Sequence, residues 1–160
     1  MESLVLAWSG GKDSSLALYT ILADERYRIT SLLTIITGDY DRVSMHGIRR
    51  LLVEQQAETL GLPLIEVFFP ASCDNQEYEK SMAAALTKFK KQGISLVTFG
   101  DIFLEDVKRY REENLAKLDM KAVFPLWGRN TLELAQKIPF EFGEVVKCGN
   151  FYFKDLLPLK

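Results

Sequence analysis

The chain has 160 residues, of which 48% are hydrophobic and 26% are charged, with a net charge of −2. This size and balance predict one globular domain over residues 1–160 with a full core. The charge gives no broad basic surface for nucleic acid, and no apolar run reaches the roughly 18 residues of a membrane span. Two distant cysteines, a single histidine and no apolar leader predict a cytoplasmic protein with reduced thiols and no multi-histidine metal site.

Apolar, β-branched runs alternate with amphipathic stretches along the chain. In order, strands are predicted over residues 4–8, 29–37, 63–69, 95–100, 122–126 and 144–148. Helices are predicted over residues 14–24, 46–60, 78–89 and 105–118, with a short last helix capped by Thr131 and ended by Pro139. The alternation predicts an α/β fold, an open, doubly wound parallel sheet of about five to six strands in a three-layer α/β/α arrangement.

Polar residues follow each of the first five predicted strands. Because ligands of open α/β sheets bind outside the carboxyl ends of the strands, these groups are expected to meet along one edge. The groups are residues 9–14, residues 37–39, residues 72–75, Asp101, and residues 129–130. The sequence therefore predicts one cleft with the first group at its centre.

That first group is Ser9-Gly10-Gly11-Lys12-Asp13-Ser14, placed between a predicted strand and a predicted helix. Glycines allow backbone N–H groups to close around an anion, and the positive end of the helix dipole points to the same place. We expect Ser9, Gly10, Gly11 and Ser14 to bind phosphate and Lys12 to neutralise a leaving pyrophosphate. Asp13 is either a Mg²⁺ ligand or the helix cap. Neither the Walker spacing nor G-x-G-x-x-G fits these residues.

Three further sites are candidates from their position after strands. His46 and Arg49 are expected near a triphosphate or a substrate carboxylate. The alternative that His46 only caps the helix stays open. Arg50 is interpreted as a solvated surface residue. Asp101 ends a strand between apolar residues and is expected either to bind Mg²⁺ or to hold an attacking amine. Cys73 has no activating charge nearby in the sequence, so we expect a spectator thiol.

The run Ser-Gly-Gly-x-Asp-Ser resembles the signature of the PP-loop ATP pyrophosphatases, which split ATP between its α and β phosphates. Residues 45–50 (Met-His-Gly-Ile-Arg-Arg), the Gly100-Asp101-Ile102 turn with Glu105 and residues 110–112, and residues 124–127 followed by Thr131 extend the likeness. Together they are similar to the diphthine–ammonia ligase family and its bacterial relatives, from residue 4 to about residue 137.

The resemblance implies a nucleotide α-hydrolase (HUP/PP-loop) fold, with ATP, Mg²⁺, a carboxylate substrate and ammonia as ligands. It also implies ATP-dependent amidation, in which the carboxylate attacks the α-phosphate, pyrophosphate leaves and ammonia displaces AMP. Lys12 and Asp101 are the expected catalytic residues.

The resemblance has a limit at the C-terminal end. The Glu-Asn-Gly-Glu-Phe-His-like segment usual in the family is not found before Lys160, so ATP binding is better supported than ligation of a particular acid. The alternative function is an adenine-nucleotide-binding module without ligase activity. A tRNA sulfurtransferase is disfavoured by the net charge and by Cys73. The sequence does not fix the oligomeric state, and a homodimer is compatible with it.

Overall fold

The structure, a computed structural model, describes residues 1–134. The strands are β1 Glu2–Ala7, β2 Tyr27–Thr37, β3 Arg42–Val43, β4 Leu64–Phe69, β5 Leu96–Thr98 and β6 Lys121–Val123. The helices are α1 Lys12–Leu22, α2 Arg50–Leu60, α3 Asn75–Lys91 and α4 Glu105–Ala116, and residues 131–134 are helical at the end of the described part. The predicted α/β fold class is confirmed.

The sheet is mixed but mostly parallel. Parallel pairing places the strands in the order β4-β2-β1-β5-β6, so the order reverses direction between β1 and β5. The short β3 is antiparallel to β2 and was not among the strands predicted from the sequence. Ile36 and Thr37 of β2 pair with both β4 and β3, so β3 lies on the opposite side of β2, beyond the end of β1. The β2–β3 hairpin therefore stands beside the carboxyl end of β1.

Alternate residues of the central strand face two separate hydrophobic clusters. Leu4, Leu6 and Trp8 pack with buried residues of α1 and α2 on one face. Val5 packs on the other face with Leu86, Phe89 and Leu115 of α3 and α4. Helices thus cover both faces, as the continuous apolar strands predicted. Within residues 1–134, no helix has the length and apolar character needed to span a membrane.

Helices α1 and α3 begin two and three residues before their predicted starts, and two other helix starts differ for a local reason. Helix α2 begins at Arg50 instead of residue 46, because Met45 (φ 65°) and Gly47 (φ 69°) are left-handed and form a turn after β3, in which the Gly47 N–H donates to the Val43 carbonyl at 2.9 Å. The last helix is capped by the side chain of Asn130, which accepts from the N–H of Leu132 at 2.9 Å, instead of by Thr131. Asn is as good a cap as Thr, and the sequence pattern alone did not separate these neighbours. The strand predicted over residues 144–148 and the helix end at Pro139 lie outside the described residues.

Candidate functional site

A cleft of about 790 Å³ lies at the carboxyl edge of the sheet, where the strand order reverses. This volume is in the usual range for sites that hold small molecules. Its lining comes from four of the five predicted groups, with Ser9, Asp13 and Ser14 from the first and Asp101 from the fourth. Thr37 represents the second group and Cys73 the third. Residues 129–130 do not line it, since Asn130 is used to cap the last helix.

The loop between β1 and α1 is shaped by glycine and serine. Gly10 has φ 76°, a left-handed conformation that favours glycine, and Gly11 is the N-cap of α1. Among the described residues, no side chain caps this helix. The hydroxyls of Ser9 and Ser14 lie 3.1 Å apart, and Ser14 Oγ also donates to the Gly11 carbonyl at 3.0 Å. The N–H groups of the first turn are consequently not taken up by a side-chain cap, which suits an anion.

Gly100, at the end of β5, presses against this loop. A Cβ at Gly100 would lie 2.8 Å from the Asp13 carbonyl oxygen and 3.1 Å from the Ser14 nitrogen. Both are backbone atoms, which cannot move aside without displacing the start of α1. From the sequence, Gly100 is predicted only as part of a turn. A glycine directly before a strand-end aspartate was the signal available, because such a glycine often marks close approach of another backbone.

Lys12 and Asp13 begin the helix beside the cleft. Lys12 Nζ lies 2.7 Å from Asp13 Oδ1, and the Lys12 side chain is 66% exposed. The N-cap is Gly11, so Asp13 is in the first turn and the capping role considered for it is not observed. Gly10, Gly11 and Lys12 are not part of the cleft lining, although Ser9 before them and Asp13 after them are. An exposed, flexible ammonium at this position can reach a negatively charged ligand.

The β2–β3 hairpin and the turn after it form one wall. Arg42 Nη1 donates to the Gly47 carbonyl at 2.6 Å, and Thr37 and Ser44 share a hydrogen bond of 2.7 Å across the hairpin. His46 is exposed and lines the cleft, whereas Arg49, the N-cap of α2, does not line it. His46 precedes the helix by four residues and so does not cap it.

Arg50 is more constrained than the surface interpretation predicted. It forms a bidentate pair with Glu66 at 2.8 and 3.0 Å, and its guanidinium lies 4.9 Å from the Phe68 ring centre. The hydrogen bonds that Arg50 donates to Glu66 raise the pKa of Arg50 above its usual value. This pair fastens α2 to the edge strand β4, a structural role away from the cleft.

The opposite wall carries Asp101 in an ion pair. Arg111 Nε lies 2.6 Å from Asp101 Oδ2, and the guanidinium stacks 4.3 Å from the centre of the Phe99 ring. The side chain of Asp101 is 18% exposed, and both residues line the cleft. Asp101 is a site residue predicted from the sequence, whereas its partner Arg111, ten residues away on α4, is not. The carboxylate therefore has a fixed orientation.

Cys73 and Tyr78 close the cleft on the β4 side. Burial raises the pKa of the Cys73 thiol, and the nearby carboxylates of Glu77 and Asp74 raise it further. Burial also raises the pKa of Tyr78, whose ring stacks on Phe69 at 4.9 Å. A raised pKa favours the protonated thiol, which is the behaviour expected for a spectator cysteine.

Comparison with known proteins places this arrangement in a family. The family model described as diphthamide synthase N-terminal domain matches residues 1–122, about three quarters of the chain. The curated proteins include no match to the chain. The matched residues include the glycine loop, the hairpin wall and the Asp101–Arg111 pair. The chain therefore belongs to the diphthamide synthase N-terminal domain family, within the PP-loop ATP pyrophosphatases and diphthine–ammonia ligases.

Proposed function

We propose that this chain binds ATP in the cleft and uses it to convert a carboxylate into an amide. The observation that carries the proposal is the uncapped start of α1, with Gly10 and Gly11 before it and Lys12 in it, opening on the cleft where the strand order reverses. Helix starts of this kind favour phosphate groups. Ala7, Leu33, Ile35 and Phe69 give the same cleft an apolar wall that suits an adenine ring.

In the proposed reaction, a carboxylate oxygen attacks the α-phosphorus of ATP. The bond from that phosphorus to the oxygen bridging it to the β-phosphate breaks, and the electron pair leaves with pyrophosphate. Lys12 neutralises the charge that develops on this leaving group. Ammonia then attacks the acyl carbon, the carbon–oxygen bond to AMP breaks, and the nitrogen loses a proton. AMP is a far better leaving group than hydroxide, which is why the reaction is split in two steps.

Asp13 fits a Mg²⁺ ion that arrives with the nucleotide. Mg²⁺ is commonly held by one or two carboxylates together with substrate phosphates, and Asp13 lines the cleft at the start of α1. In residues 1–134 there is no group of three or more His, Cys, Asp and Glu side chains that could hold the ion alone. The ion would supply charge neutralisation on the phosphates. Asp101, already paired with Arg111, is better suited to orienting the amine than to binding metal.

One observation favours the simpler function of a nucleotide-binding module without chemistry. Both carboxylates that line this edge are already in ion pairs, Asp101 with Arg111 at 2.6 Å and Asp13 with Lys12 at 2.7 Å. Both functions predict that ATP raises the melting temperature, since any ligand of the folded state does so. They differ in whether AMP and pyrophosphate are released. The substrates ATP and ammonia are also consistent with the cytoplasmic location predicted from the sequence.

Oxygen labelling tests the proposal directly. The protein is incubated with Mg·ATP, ammonium chloride and a panel of mono- and dicarboxylates labelled with ¹⁸O, and the nucleotide product is analysed by mass spectrometry. Attack by the carboxylate transfers one ¹⁸O to AMP. Amide formation with unlabelled AMP would contradict the acyl-adenylate. Tight ATP binding without any AMP across the panel would favour the binding module.

A further inference from the structure

The side-chain amide of Gln56 joins helix α2 to the glycine loop. Its Oε1 accepts a hydrogen bond from Trp8 Nε1 at 2.9 Å, and its Nε2 donates to the Gly10 carbonyl oxygen at 3.3 Å. Trp8 is 2% exposed and lies directly before the loop. Gln56, which is distant in sequence, is therefore hydrogen-bonded both to Trp8, directly before the loop, and to Gly10 within it.

The packing around Gly10 leaves this amide little freedom. A Cβ at Gly10 would lie 2.9 Å from Gln56 Oε1 and 2.9 Å from Val53 Cγ1, so α2 rests directly on the loop. The left-handed conformation of Gly10 directs its carbonyl oxygen to the Gln56 amide. A carbonyl oxygen that turned towards the cleft instead would repel an anion there.

We propose that Gln56 is a positioning residue, which keeps the Gly10 carbonyl turned to α2 so that the loop presents N–H groups to a bound phosphate. The identification of that phosphate as part of ATP rests on the proposed function. The effect on the loop itself does not depend on a ligand. Gln56 acts through the backbone and does not touch the nucleotide.

The chemistry of the amide explains why glutamine suits this position. Its carbonyl oxygen accepts from Trp8, and one of the two N–H donors of its NH₂ group goes to the Gly10 carbonyl. Glutamate would keep the acceptor but lose the donor, and its second oxygen would face the Gly10 carbonyl. Methionine of similar length would lose both hydrogen bonds while still filling the space beside Val53.

Hydrogen exchange of the ligand-free protein tests the effect on the loop. In Gln56→Met and Gln56→Glu, we expect the amides of residues 9–14 to exchange about tenfold faster than in the parent, because one to two net hydrogen bonds are lost. The exchange rates of the β6 amides should not change. Gln55→Glu is the matched control, because Gln55 is the exposed neighbour on the same helix. Trp8 emission, measured in a Trp127→Phe background, should shift in the Gln56 variants and not in Gln55→Glu. Parent-like exchange and emission in both Gln56 variants would overturn the proposal.

Calorimetric titration then separates this inference from the proposed function. We expect Gln56→Met to bind ATP and inorganic pyrophosphate about tenfold more weakly than the parent, and adenosine within about twofold. Equal weakening of adenosine and ATP would overturn the positioning role, since it would indicate general damage. A parent protein that binds neither ATP nor pyrophosphate would contradict the proposed function, while the exchange measurement would still decide whether Gln56 holds the loop.

Discussion

Two parts of the cleft are built in different ways: the loop of residues 9–14 with Gly100 behind it, here called the rigid wall, and the β2–β3 hairpin with the turn after it, here called the exposed wall. The loop of residues 9–14 is fixed from several sides by backbone contacts, with Gly100 pressing on Asp13 and Ser14, and α2 resting on Gly10. The hairpin wall is exposed at Met45 and His46 and depends on short-range hydrogen bonds such as that from Arg42 to Gly47. The rigid wall suits the part of a ligand that must be held in one geometry, and the exposed wall suits contacts that form when the ligand arrives.

Lys12→Ala separates chemistry from folding on the rigid wall and has the largest expected effect. Turnover should fall by about 10²–10³, the usual cost of removing one group that stabilises developing charge. The free energy of unfolding should change by less than about 1 kcal/mol, because the pair with Asp13 is exposed. Steady-state kinetics and urea unfolding measure both, with the exposed Lys88→Ala as control. Parent-like turnover in Lys12→Ala would contradict its role.

Asp101→Asn tests whether the carboxylate serves the reaction or only Arg111. The amide oxygen can still accept from Arg111, so the fold should persist, but turnover should fall about 100-fold if the charge orients the amine. The measurement is kcat with saturating ATP, and the thermal midpoint reports the fold. An Asp101→Asn protein with unchanged kcat would assign Asp101 a structural role alone.

Gly100→Ala tests the close approach behind the rigid wall. The added Cβ would meet backbone atoms at 2.8 and 2.9 Å, so we expect a loss of about 1–3 kcal/mol in unfolding free energy and weaker ATP binding. Gly38→Ala is the matched control at the end of β2, since a Cβ there would meet its nearest atom at 3.8 Å. Urea denaturation and ATP titration should separate the two variants, and equal results for both would contradict the packing argument.

His46→Ala probes the exposed wall, where the expected effect is smaller. The KM for ATP should rise roughly three- to tenfold, the value of one net hydrogen bond, with unfolding free energy within about 0.5 kcal/mol of the parent. Initial-rate kinetics over a range of ATP concentrations measure it. An unchanged KM would remove His46 from the nucleotide site.

The reactivity of Cys73, on the β4 side of the cleft, is the smallest of the expected effects. Burial raises the pKa of its thiol, so the thiolate should form only at higher pH than in a free thiol. Iodoacetamide labelling followed by peptide mass spectrometry should show half-maximal reactivity of Cys73 at a higher pH than glutathione measured in parallel. Faster alkylation than glutathione at neutral pH would show that the thiol is activated.

The difference between the walls also explains what the sequence could predict. The glycine loop, the mostly parallel sheet and the meeting of residues 9–14 with Asp101 followed from local backbone chemistry, from the alternation of strands and helices, and from the rule for strand ends. The hairpin β3, the later start of α2 and the partners Gln56 and Arg111 did not follow. A two-residue strand has too short a pattern to detect, and left-handed Met45 is an uncommon backbone state for a long side chain. Pairings such as Trp8 with Gln56 depend on tertiary contacts that no local pattern encodes.

The nucleotide product tests the central claim, that this cleft holds ATP for cleavage between the α and β phosphates. The protein is incubated with Mg·ATP, ammonium chloride and the carboxylate panel, and the products are resolved by anion-exchange chromatography and ³¹P NMR. We expect AMP and pyrophosphate in equal amounts, with both products lost in Lys12→Ala. ADP and inorganic phosphate as the products would contradict it.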